Sequence, residues 1–164
     1  RVHLATRDAE AAVARVRKAG GRVLREPERG PGTAVRALAA DPAGAVFGLW
    51  RPGERTDFAA ARKPGAYLWT DLLTRAESAA AVDAFYAEVF GYVTHAADFG
   101  AGSPAEGEDF SVWCPAPTGE GDGGRAGAPI GGRGLLGAAH PPGTPPHFLP
   151  YFAVADCDGA VAAA

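Results

Sequence analysis

Three short stretches bring a side chain capable of chemistry to the same point of a local pattern. His3 stands in "VHLATRD", Asp71 in "LWTDLLTR" and Tyr151 in "PYFAVADCD", each on a brief apolar run that leads through a polar residue into an Ala- and Val-rich segment. Imidazole and carboxylate are ligand types for divalent ions, and a carboxylate also accepts charge-assisted hydrogen bonds from a cationic molecule. Trp69, two residues before Asp71, and Tyr151 add aromatic faces on which a flat molecule can stack. His3 and Asp71 are the weak metal candidates, because a catalytic zinc ordinarily keeps three protein ligands and neither residue has companions in its segment. Without a metal, His3 reads as a ring packed and hydrogen-bonded locally, and Asp71 as a partly solvated acid.

Other motifs carry less. "GGRGLLG" contains Gly132-x-Gly134-x-x-Gly137, with Asp156 further on, but a dinucleotide fingerprint must open a helix and "AAHPPGTPPH" follows instead. Cys114 and His95 have the types of a nucleophile and its base with nothing in the sequence to bring them together, and a Cys on an apolar strand is ordinarily core. Cys114 and Cys157 lack any C-x-x-C spacing, so the expectation is two reduced, buried thiols. His140 and His147 flank the Pro-rich loop and are expected at the surface, while Trp50 and Trp113 are expected to pack on strands.

The elements that position these residues recur. Asp8 can cap a helix with apolar positions Ala9, Ala12, Val13, Val16 and Ala19, ended by Gly20-Gly21. Thr74 and Glu77 have the spacing of a capping box ahead of Val82, Phe85, Tyr86 and Val89, and Gly91 stops that helix. "RVLRE", "TAVRALAA" and "AVFGLW" follow the first helix as strands; "YVTHAADF", "DFSVWC" and "APIGGRGLLG" follow the second. The repeat is strand, helix, then three strands. It predicts a module over 1–52, a linker over 53–65, a second module over 66–139, and over 140–164 a second linker with the opening of a third copy. The start within a strand and the end within a helix suggest a piece of a longer protein, with one module before Arg1 and most of one after Ala164.

In 164 residues, 47% hydrophobic and 21% charged with net charge −3, there is neither the basic stripe of a nucleic-acid binder nor an apolar run long enough to span a membrane. Arg15, Arg17 and Lys18 fall in the last turn of the first helix, where cations complement its dipole. With no signal peptide read at the start, the expectation is a cytoplasmic protein.

"RVHLATRD" with its Ala-rich helix, "AGGRVL" and "DPAGAVFGLW", together with "AFYAEVFGY" closing the second helix, resemble the modules of the vicinal oxygen chelate superfamily of glyoxalases, bleomycin resistance proteins and dioxygenases. The resemblance extends over nearly the whole chain and is nearest to actinobacterial proteins of four modules. It implies an α+β fold of repeated βαβββ modules whose curved mixed sheets form an open barrel around a cavity. Where these proteins hold a divalent metal, His and carboxylate side chains on the inward face bind it.

Strand alternation then assigns that face. Val2, Leu4 and Thr6 go under the helix and leave His3 inward; Thr70, Leu72 and Thr74 do the same and leave Trp69, Asp71 and Leu73 inward. In the third copy Phe152 and Val154 go under the helix, and Leu149 and Tyr151 face the cavity. The resemblance places a Glu ligand after the "DP-G" turn, at the position of Gly48, which has no side chain to coordinate. The expected ligand-binding residues are therefore Trp69, Asp71, Leu73, Tyr151 and His3, no cofactor is expected, and the ligand is a small, flat organic molecule bound as in bleomycin resistance proteins. The alternative is a metal-dependent lyase or dioxygenase with ligands completed outside this chain, so whether the protein is an enzyme stays open. Unless the cavity faces of the complete copies meet each other, they leave apolar surface that a homodimer would cover.

Overall fold

The computed structural model describes residues 1–53, 64–103, 107–116 and 127–163. Most of the expected linker over 53–65 and of the loop "PTGEGDGGRAG" lies outside the described residues. Strand β1 (His3–Ala5) leads into α1 (Ala9–Lys18), followed by β2 (Arg22–Arg29), a 3₁₀ turn over Pro31–Thr33, β3 (Val35–Ala40) and β4 (Val46–Arg51). The pattern repeats with β5 (Tyr67–Thr74), a 3₁₀ turn over Ala76–Ser78, α2 (Ala79–Phe90), β6 (Val93–Ala96), β7 (Ser111–Cys114) and β8 (Gly131–Leu135). It opens again with β9 (His147–Phe152) and α3 (Cys157–Ala162). The fold is α+β with two mixed sheets, ordered β1-β4-β3-β2 and β6-β7-β8-β5-β9.

In each sheet the opening strand runs parallel to the closing strand of its own repeat: β1 beside β4, β5 beside β8. The third copy joins the second through β9, antiparallel to β5.

Local chemistry explains the helix ends. Asp8 Oδ1 accepts from the Ala11 backbone N–H at 2.9 Å, satisfying one of the free donors of the first turn, and Gly91 closes α2 in the left-handed region at φ 71°. The capping box expected from Thr74 and Glu77 does not form. Thr74 is the last residue of β5, fully buried with its hydroxyl unpaired among the described residues, and the chain enters α2 through the 3₁₀ turn instead.

Both helices lie between the sheets. Ala12, Val13 and Val16 of α1 and Val82, Phe85, Tyr86 and Val89 of α2 share one core with Phe47 and Leu49 of β4, Leu72 of β5 and Trp113 of β7. Phe47 is fully buried, with ring centroids of Phe85, Tyr86, Phe90 and Phe148 at 5.8–6.2 Å, three edge-on and that of Tyr86 tilted. Burying each such side chain stabilises the fold by about 1.5–3 kcal/mol. The modules therefore meet through their helix-covered faces, and the opposite faces, with His3 on one sheet and Asp71 on the other, point away from each other.

Several expectations need correction. Phe152 and Val154 are 59% and 47% exposed, because six-residue α3 buries none of its own residues and covers neither. Cys114 is buried but Cys157 is exposed on that same helix. His140 and His147 are half-buried rather than exposed. The cations at the end of α1 hold partners rather than water alone: Arg17 pairs with Glu26, Lys18 with Glu88 at 2.8 Å, and Arg15 Nε donates to the Val89 carbonyl at 2.8 Å.

Candidate functional site

Alternation along β5 separates two environments. Thr70, Leu72 and Thr74 are buried on the helix side, and Trp69, Asp71 and Leu73 lie on the other face, the first two half-buried. The antiparallel register of β9 sets Tyr151 opposite Trp69, Leu149 opposite Asp71 and His147 opposite Leu73. The parallel register of β8 sets Gly132 beside Asp71 and Gly134 beside Leu73.

Within this face the side chains are tied together. Trp69 Nε1 donates to Asp71 Oδ1 at 2.7 Å. Tyr151 stands across from Trp69, and its phenol is pushed up to about 12, by desolvation first and then by the neighbouring Asp71 carboxylate. At neutral pH Tyr151 is therefore a neutral donor. The bond from Trp69 holds the Asp71 carboxylate and the indole in one arrangement on this face.

The glycines of β8 set the depth of the floor. A Cβ on Gly132 would fall 2.6 Å from Phe110 Cζ and 2.7 Å from the Ser111 carbonyl, so the Phe110 ring rests directly on the strand. Phe99 meets Phe110 edge-on at 5.8 Å, extending the aromatic surface. Sequence reasoning missed both residues. Their one advance signal was the pair of glycines at i and i+2, which leaves one face of a strand without side chains.

Arg133, between those glycines, points to the helix side and is 3% exposed. Its Nη2 donates to Asp83 Oδ2 on α2 at 2.8 Å and to Ser111 Oγ at 2.9 Å, and its Nη1 bridges to Asp109 Oδ1 at 2.9 Å. This network fixes β8 against α2 and so holds the Asp71 side of the sheet from behind.

His3 is not brought to this cluster. It lies on the outward face of the first sheet, paired across the parallel register with Gly48, and its ring fills the space that a Cβ on Gly48 would occupy. Its Nδ1 is 3.2 Å from the Arg1 carbonyl. The two candidate metal ligands are thus in the same relation to their closing strands: the residue opposite is a glycine in each case, and a ring lies on that glycine. Among the described residues no three His, Cys, Asp or Glu side chains gather where an ion could be held. Cys114 and His95 fall on one face, two residues apart in the β6–β7 register, but Cys114 is 5% exposed and His95 lies open to solvent.

Comparison with known proteins follows the same lines. The family model for the Glyoxalase/Bleomycin resistance protein/Dioxygenase superfamily matches residues 2–49. The chain is 34% identical over 163 residues to the anthracycline biosynthesis protein DnrV of Streptomyces peucetius, covering 98% of this chain and 51% of DnrV. It is 32% identical over 160 residues to DauV of Streptomyces sp. (strain C5), another anthracycline biosynthesis protein, with the same coverage. It thus spans about half the length of these curated relatives. Among solved structures, a xylose isomerase-like TIM barrel/4-hydroxyphenylpyruvate dioxygenase fusion protein shares the fold at a TM-score of 0.51 and 16% identity, over 98% of this chain and 26% of that one. With the repeated strand, helix and strand order, the family match and these relatives, the chain belongs to the glyoxalase/bleomycin resistance protein/dioxygenase superfamily.

Proposed function

We propose that the second module and the opening of the third form a binding face for a small, flat organic molecule, with Trp69, Asp71, Leu73 and Tyr151 as its contacts. The observation that carries this reading is that Trp69 donates to Asp71 at 2.7 Å on a face where Tyr151 stands opposite Trp69. The Trp69 ring, held by that bond, and the Tyr151 ring opposite it supply stacking area, and the carboxylate adds a charge-assisted bond to a cationic ligand. The names of two relatives, which speak of anthracycline biosynthesis, also point toward an aromatic molecule. Trp69→Leu is expected to weaken binding of planar cationic aromatics by about 1–3 kcal/mol, the range for losing a packed aromatic contact. Trp113→Leu, a change on the opposite face, is expected to leave that affinity within error. Calorimetric titration of a planar panel against both variants checks this, and the reverse pattern would place the site elsewhere.

The reading needs no metal. Among the described residues His3 and Asp71 each face a glycine across their sheets without the companions that a zinc site requires, which supports a reading without a divalent ion here. Adding Zn²⁺, Ni²⁺ or Mn²⁺ should leave the melting temperature unchanged, since only an ion that prefers the folded state raises it. A rise abolished by both His3→Ala and Asp71→Ala would restore the metal-dependent alternative.

A further inference from the structure

A cleft of about 1230 Å³ opens between the two complete modules, reached by β1 of the first and by β5, α2 and β7 of the second. One wall is β1 with the loop that enters α1; the other carries Tyr67, Tyr92, Trp113 and Phe152. It is separate from the face described above, since Trp69, Asp71 and Tyr151 do not line it and strand alternation sends them to the opposite side. The volume is somewhat above the roughly 300–1,000 Å³ common for small-molecule pockets.

The chemistry of this cleft differs from that of the Asp71 face. Its walls are aromatic: Trp113 and Tyr92 stack at 5.8 Å and 29°, while Tyr67 and Phe152 remain 48% and 59% exposed. Its first-module side is cationic, with Arg1, Arg7 and Arg15. Arg15 has its Nε on the Val89 carbonyl, and among the described residues Arg7 makes neither a hydrogen bond nor an ion pair. The acid nearby, Asp8, already accepts the Ala11 N–H as a helix cap. Burial also holds the Tyr92 hydroxyl protonated well past neutral pH, so the wall presents no phenolate to repel an anion.

We propose that this inter-module cleft is a second ligand site, selective for an aromatic acid. The flat apolar body lies against Tyr67, Tyr92 and Phe152, and the carboxylate meets Arg7 and Arg15. An anion there gains a charge-assisted bond at Arg7 without breaking an internal pair. A neutral ring of the same shape gains only the walls.

Isothermal titration with 2-naphthoate and its neutral analogue 2-naphthamide tests the assignment on the whole chain and on three variants. Naphthoate is expected to bind the unaltered protein. Arg7→Glu should weaken naphthoate about fivefold or more, in keeping with an exposed charge pair, and shift naphthamide less than about twofold. Ala116→Trp, which fills the cleft from its lining, should abolish both, and Trp69→Leu should change neither, which separates this site from the proposed binding face. Absence of naphthoate binding, equal loss of acid and amide in Arg7→Glu, survival of binding in Ala116→Trp, or loss in Trp69→Leu would each overturn the proposal.

Discussion

Asp41 is the residue whose charge is most awkwardly placed. It is 3% exposed in the turn before β4, where its Oδ1 accepts from the N–H groups of Ala43 and Ala45, each at 2.9 Å. Its Oδ2 accepts from the Tyr86 hydroxyl of α2 at 3.3 Å, so one carboxylate organises a turn of the first module and touches the helix of the second. Desolvation outweighs these bonds and raises its pKa above the usual carboxylate value. The folded state then keeps this proton at a pH where the unfolded chain has lost it. Stability must fall as pH rises from the ordinary carboxylate range through the raised value, and level off above it. Asp41→Asn can still accept both N–H bonds and cannot titrate. Denaturant unfolding from pH 3 to 7 should therefore show the unaltered protein gaining on the variant toward acid; a difference that does not move with pH would contradict the assignment.

At the scale of the strand, β8 is built so that one face has no side chains at Gly132 and Gly134 while the other carries a buried ion pair. The two glycines are not equivalent. A methyl at Gly132 meets the Ser111 backbone at 2.7 Å, which cannot swing aside; at Gly134 the nearest atoms, on Leu73 and Phe110, are 3.3 Å away and belong to side chains. Gly132→Ala should cost about 1–3 kcal/mol, as overpacking does, and Gly134→Ala clearly less, measured by urea unfolding. Equal costs would mean that the Ser111 backbone does not close on Gly132 as described. These elements also show what the sequence disclosed. Asp8 and Gly91 were legible because a cap is decided within a few residues. The two sides of β5, Thr70, Leu72 and Thr74 against Trp69 and Asp71, were legible because period-two alternation needs no partner strand. Thr74 misled because its spacing to Glu77 fits a cap equally well whether it ends a strand or begins a helix. The Arg133–Asp83 pair and the Phe110 seat were not legible, since both depend on registers between strands and helices far apart in the chain.

Across the whole molecule, the placement of α1 and α2 between the sheets decides what each surface can do. The helix-covered faces are joined by an aromatic core, the cavity faces look outward, and the cleft is the part of the seam that this core leaves unfilled. Among the described residues no helix is long and apolar enough to cross a membrane. The first module supplies Phe47 and the second supplies Phe85 and Tyr86 around it, so a change in the size of one ring has to be answered across the module boundary. Trp69 and Tyr151 contribute nothing to that boundary. Descendants of a duplicated module can therefore drift freely in what their outer faces recognise, while residues 47, 85 and 86 are constrained to vary together.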